Sequence, residues 1–339
     1  MSQPESVASP TTAYACELPT ERARLRHVLA CVNGDLFADA VLHHAAAVAT
    51  AEGARMTVIH VLEVTTTQEP IDPVEWTLRH YDRIEYLDAC LSRFDGVHAE
   101  AVIMVGSPAQ RISAWAHEHE ADLIVLGRGG DSDGLSMGLG DTARRVAESA
   151  NASVLLVPER MAKDTPVRYH RLLIPLDGAC RSECTLPLGL GIAAAHEAEV
   201  VLAHAVPQID LIEIDQLNPD AIALREQLYR HNAEAALTYL EELGARLSVL
   251  TATRRRVLSG GDARRALVLA ATEEQADLMV LSAVGTSGHV DMTVGSVADY
   301  LINRLPMPVL LVRPYRPNLL KPHRPCQGVD IRLPGLGMR

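Results

Sequence analysis

The stretch EADLIVLGRGGDSDGLSMGLGD, Glu120 to Asp141, runs from a short apolar segment into a loop with six glycines between Gly127 and Asp141. An apolar-periodic segment, TARRVAESA, follows it. Strand, glycine loop and helix in this order form the layout in which backbone N–H groups and a helix N-terminus cradle phosphate. The loop also carries three aspartates, and the last, Asp141, stands where a phosphate would meet the helix. The apolar segment has a second copy, which decides the fold. EADLIVLG (120–127) matches QADLMVLS (275–282), an offset of 155 residues.

Other segments pair in the same way. RHVLACVNG (26–34) matches YHRLLIPLDG (169–178), TVIHVLE (57–63) matches VLAHAVP (201–207), and NASVLLVP (151–158) matches MPVLLVR (307–313). The offset is 144 at Asn33/Asp177 and at His60/His204, and 155 at Gly140/Gly295. The second copy therefore gains eleven residues, which the sequence places around VPQIDLIEIDQLNPD (206–220). Each copy alternates short Val-, Leu- and Ile-rich runs, the mark of strands buried on both faces, with helical patterns. FADAVLHHAAAVATAEG (37–53) is the clearest helix, ended by Gly53. Alternation of this kind implies parallel strands with right-handed crossovers. The expected fold is α/β: two doubly wound domains, each an open five-stranded, mainly parallel sheet flanked by helices.

Length supports two cores. The domains are expected at 25–158 and 168–313, with a polar linker at 159–167. A flexible arm is expected at 1–24 and a Pro-rich tail at 314–339. The formal charge of −12 disfavours nucleic acid and anionic lipid as partners. No run of about 18 apolar residues suggests membrane insertion. The first 24 residues have no signal-peptide core, so a cytoplasmic chain is expected. Cys180 and Cys184 stand four apart without a completing ligand pair, so no metal site is expected.

Ligands of open α/β sheets bind at the carboxyl ends of strands, at the topological switch point. Three segments should meet there: the end of strand one, the end of strand two, and the loop after strand four. A strand-one acid, a strand-two His element and Gly-x2-Gly-x9-Gly-Ser/Thr after strand four resemble the universal stress protein family, over both copies. The resemblance implies a fold that binds ATP in some members and no nucleotide in others. It also implies frequent dimerisation through the last strand, a stress or signalling role, and a protein partner or homodimer.

The first copy keeps the glycine frame at Gly127, Gly130 and Gly140. Asn33 stands where the family has Asp, and Asp141 where it has Ser or Thr. In the second copy the 155-residue offset aligns Ser282, Gly285, Gly295 and Ser296 with that frame, and Asp177 keeps the strand-one acid. Asp141 is expected to cap the last helix of copy one, accepting the N–H groups a phosphate would need. Two like charges ~4 Å apart cost about 4 kcal/mol at an effective dielectric near 20. Copy two is therefore expected to be the better adenine-nucleotide site, with Mg²⁺ as an accompanying ion. Ser282 matters only if backbone φ there is positive or the ligand touches Cα.

Blander readings apply elsewhere. His60 and His204 are expected to be structural. Ser296 and Asp177 also suit plain capping roles. LSGGDARRA (258–266) is expected to be a strand–helix turn with Asp262 as N-cap, and RRRV (254–257) a solvated edge strand. No nucleophile–base pair and no Walker lysine is found, so an enzyme is not expected, although slow ATP hydrolysis stays open. The alternatives are a nucleotide-free interaction module of the same fold and, with less support, an adenylate- or pyrophosphate-handling enzyme.

Overall fold

The structure, a computed structural model, describes residues 25–33, 38–63, 73–94, 97–129, 138–158, 166–207, 218–247, 251–283, 293–313 and 331–333. Gly130, Gly285, the N-terminal arm and most of the linker and tail lie outside the described residues.

The first half runs β1 (His27–Val32), α1 (Ala38–Glu52), β2 (Arg55–Leu62), α2 (Pro73–Leu91), β3 (Ala99–Val105), α3 (Pro108–Glu118), β4 (Leu123–Gly127), α4 (Asp141–Ser149) and β5 (Ser153–Val157). The second repeats the order with one short added helix: β6 (Arg171–Pro175), α5 (Cys180–Glu183), α6 (Leu186–His196), β7 (Glu199–Pro207), α7 (Pro219–Leu247), β8 (Thr253–Gly261), α8 (Ala263–Glu273), β9 (Leu278–Ser282), α9 (Ser296–Arg304) and β10 (Val309–Val312). β4 and β9, and α4 and α9, begin 155 residues apart, as the sequence repeat requires. Where Gly53 leaves α1 at φ 64°, Glu197 leaves α6 at φ 56°, so the left-handed cap is kept although the glycine is not.

The halves share one sheet. Its order is β3-β2-β1-β4-β5-β10-β9-β6-β7-β8, and a short strand β11 (Ile331–Leu333) lies antiparallel on β3. Within each half the strands are parallel. At the join β5 and β10 run antiparallel, pairing Val154 with Leu311, Leu155 with Leu310 and Leu156 with Val309. All six side chains are at most 1% exposed. Each such side chain contributes about 1.5–3 kcal/mol relative to leaving it in water. The helices cover both faces, and each face carries a core that runs through both halves.

The motif Ala-Asp-Leu before β4 and β9 has a structural cause. Asp122 Oδ2 accepts from the N–H groups of Arg26 and His27 at 2.7 and 3.0 Å. Asp277 accepts from those of His170 and Arg171 at 2.6 and 3.0 Å. Each aspartate thus satisfies backbone donors where its neighbouring strand begins.

The additional residues of the second half are mostly helical, which corrects their expected place. α7 has 29 residues against 19 in α2, while the segments leading into the two helices have similar lengths. Asn218 Oδ1 accepts from Asp220 N–H at 3.0 Å at the helix start. The segment PDAIALREQL continues with good helix formers, so the insertion propagates α7 instead of lengthening a loop.

Two other expectations hold. Asp262 is the N-cap of α8, its side chain accepting from Arg264 N–H. RRRV lies on β8, at one edge of the sheet, where Arg254 and Arg256 pair with Glu274 at 2.9 and 2.6 Å.

His44, on α1, is 2% exposed, and its Nδ1 lies 2.7 Å from the Tyr169 hydroxyl just before β6. Burial, with the neighbouring His43, pushes its pKa down to about 4. Above about pH 6.5 the imidazole is neutral in both folded and unfolded chains. As the pH falls from there toward 4, only the unfolded chain takes up the proton, so stability falls. His44→Gln removes this titration. Urea unfolding between pH 7 and 5 should therefore show a loss smaller by about 2 kcal/mol in the variant. An equal loss in both proteins would remove His44 as the source.

Covering of β5 by β10 gives a second expectation. Residues 25–158 expressed alone would leave an apolar strand edge open to pairing. Light scattering should find that fragment dimeric or larger, whereas a monomer would show that β5 needs no such cover.

Candidate functional site

The strand order places a switch point between β1 and β4 in the first half and between β6 and β9 in the second. Asn33 follows β1 and Gly127 ends β4. Asp177 follows β6 by two residues and Ser282 ends β9. Each predicted pair therefore comes to the carboxyl ends of adjacent strands. β1 and β4 pair as far as Cys31 with Leu126, but β6 and β9 pair only at Leu172–Leu278 and Leu173–Met279. The second crevice thus opens lower between its strands. α5 fits against β9 there, and Cys184 Sγ lies 4.0 Å from Ser282 Oγ.

The turns into the last helices are built alike. Gly140 is the N-cap of α4 at φ −61° and ψ 155°, and its N–H donates to Arg128 O at 2.9 Å. Gly295 is the N-cap of α9 at φ −74° and ψ 155°, donating to Ala283 O at 2.8 Å. In neither helix does the cap residue supply a side-chain hydrogen bond. The N-terminus of α9, the positive end of its helix dipole, lies at the exposed Ser296.

Asp141 departs from expectation. It is the first residue of α4 and not its cap, and its carboxylate pairs with Arg145 one turn on, at 3.0 and 3.1 Å. The reason is local: Gly140 already holds the extended cap conformation, and an arginine at i+4 offers a charged partner. Asp141 still brings negative charge to the helix end, but Arg145 offsets part of it.

Ser282 is benign. Neither it nor Gly127 has positive φ, and a Cβ built on Gly127 would make only ordinary contact with Val41, at 3.8 Å. The first frame position therefore does not require glycine. The glycine that does is Gly129, at φ 69°, where a Cβ would lie 3.2 Å from Gly140 Cα. Sequence spacing passed over it because the motif counts Gly127 and Gly130.

Asp177 is exposed, and its Oδ1 accepts from Ala179 N–H at 3.1 Å, closing the turn after β6. Burial lowers the pKa of His204 on β7, and the charge of Asp177 and a hydrogen bond with the Leu176 backbone offset part of that. β6 and β7 stay paired as far as Pro175 with Ala203, so their ends lie side by side. His60 is 4% exposed and bonded through Nδ1 to Val32 O at 2.9 Å, a structural role.

Arg128 was not singled out by sequence. It is 9% exposed, and Nη1 donates across the junction to Ile302 O at 2.7 Å and Leu305 O at 2.6 Å, at the C-terminal end of α9. Its partners are 174 and 177 residues away, and its counterpart by the repeat is Ala283, so no local pattern announces it.

Among the described residues, no helix is long and apolar enough to cross a membrane. Comparison with known proteins matches the universal stress protein family model to residues 24–158 and again to 168–313. A universal stress protein of Mycobacterium tuberculosis is 24% identical over 86% of this chain and 99% of its own length. One of Thermus aquaticus is 34% identical over 43% of this chain and 99% of its own. The crystal structure of a universal stress protein from Archaeoglobus fulgidus, 17% identical, covers 85% of this chain and 96% of that one with a TM-score of 0.62. Both copies match and the two-copy layout is shared end to end, so the chain belongs to the universal stress protein family, as a tandem of two such domains.

Proposed function

We propose that this tandem universal stress protein binds an adenine nucleotide, ATP with Mg²⁺, and does so better in its second domain. The observation that carries this reading is the turn at Gly295: a helix start with no side-chain cap, at the carboxyl end of β9, beside the crevice edged by Asp177 and Ser282. Phosphate oxygens would take the N–H groups of that turn and the Ser296 hydroxyl. Asp177 would accept ribose hydroxyls or help hold the ion. In the first domain Asn33 lacks that charge, and Asp141 sets a carboxylate beside the phosphate position, weakened as an obstacle by Arg145. Gly285 and Gly130, also proposed as contacts, lie outside the described residues.

The role is signalling and not turnover. Nucleotide would favour one of two conformations and so change the surface offered to a protein partner, to the extent that the two conformations differ in affinity. A nucleotide-free module is the rival reading, favoured by Asn33 and Asp141 in the first domain.

The halves share a sheet, so the test belongs on the full chain. Equilibrium dialysis with Mg-ATP should show one dominant site. Ser296→Asp should weaken it about tenfold, which is about 1.4 kcal/mol. Asp141→Ser should raise the bound nucleotide toward two per chain. Loss of neither site on Ser296→Asp would overturn the assignment to the second domain, and an unliganded wild-type chain would favour the rival.

A further inference from the structure

The geometry points to Arg128, a residue of the first domain, as a positioning residue for the phosphate end of the second. The two domains would then be energetically coupled through α9. This rests on the nucleotide reading above.

Arg128 is fixed at three points. Its N–H donates to Val157 O at 2.8 Å, its carbonyl accepts from Gly140 N–H at 2.9 Å, and its guanidinium holds Ile302 O and Leu305 O. Its backbone is thus part of the turn that starts α4, while its side chain caps the end of α9. A cation suits that place, where helix carbonyls lack partners and the dipole is negative. The far end of the same loop repeats the grip. Leu139 N–H donates to Asn303 Oδ1 at 2.9 Å, and Asn303 Nδ2 donates to Asp299 O at 2.7 Å.

α9 has nine residues, about 13 Å of helix. Over that length it moves as one body, so what holds its C-terminal end also sets where Gly295 and Ser296 stand. Gly138 of the first domain and Ser296 of the second line one cleft of about 530 Å³. The arrangement is one-sided. Ala283, the counterpart of Arg128, has no side chain to reach α4. The end of α4 is held instead by Arg313, which follows β10 and whose guanidinium donates to Ala147 O. A framework strand grips the first site's helix, and the first site's own loop grips the second's.

A ligand that shifts the turn at Gly129 and Gly140 would therefore shift α9, and a ligand at Ser296 would act back on that turn with the same factor. The test is photolabelling of the full chain with 8-azido-ATP, with peptide mapping to read each domain separately. Arg128→Lys keeps the charge, but its side chain ends one bond short of the Nη1 position that donates to both carbonyls. It should raise the half-saturating concentration for the second domain at least fivefold, the low end of ordinary coupling. Asn303→Ala should move it the same way and less. Arg313→Lys loosens the end of α4, which reaches α9 only indirectly through the turn at Gly140 and Arg128, and should move that concentration much less than Arg128→Lys does. No shift in Arg128→Lys with labelling intact, or an equal shift in Arg313→Lys, would overturn the coupling. A wild-type chain labelled in neither domain would instead overturn the nucleotide reading, and the coupling with it.

Discussion

Everything in this molecule hangs on one antiparallel pairing, β5 against β10. Two parallel sheets would each end in an exposed apolar strand, and an open edge of that kind pairs with whatever reaches it. Here each edge closes the other, and the six side chains of the paired segment are buried. Joining edge to edge makes one sheet from two and lets the cores on both faces run through the junction. It also brings the last helix of each half, α4 and α9, to the junction. Those are the helices whose N-termini carry the candidate sites. Fold closure and site placement are therefore one constraint.

Much of the architecture is written in the sequence because its determinants are local and occur twice. The Ala-Asp-Leu motif satisfies backbone donors at the start of the neighbouring strand, and both copies keep it. The glycine N-caps at Gly140 and Gly295 have nearly the same backbone angles, and the 155-residue offset alone aligns them. In the second copy the glycine spacing is ambiguous, because Gly285 and Gly288 also stand two residues apart, and the offset assigns Gly285 and Gly295 to the frame. Internal duplication supplies the register that a single motif cannot.

The parts that were not legible fail for identifiable reasons. Asp141 is a strong capping residue by type, but capping depends on which residue holds the extended backbone, and Gly140 holds it. The segment VPQIDLIEIDQLNPD (206–220), where the additional residues are expected, resembles a loop because it includes two prolines and four acids. Helix growth is decided by the good helix formers that follow Asn218 and by continuation of an existing helix. Arg128 has no local signature at all. Its meaning lies in two carbonyls of the other half, and a repeat comparison that looks for shared residues passes over one that the other copy lacks.

That last failure reflects what a tandem chain can do and a homodimer cannot. In a symmetric dimer, a residue on the twofold axis meets its own copy, so a charge there meets a like charge. Here Arg144 and Asp299 are counterparts by the 155-residue offset, and they face each other across the junction at 4.0 Å. Both are half exposed, so the pair adds little stability. Its worth is in specificity: a half paired with a copy of itself would oppose Arg144 to Arg144, or Asp299 to Asp299. Arg128 follows the same logic at higher stakes, because a buried guanidinium needs carbonyls in one half and room in the other, and Ala283 leaves its own half without that guanidinium. Covalent duplication removes the requirement that both halves of the interface be the same. The two candidate sites on its flanks are then free to differ, one with an acid and a serine at Asp177 and Ser296, the other with Asn33, Asp141 and the arginine that reaches across.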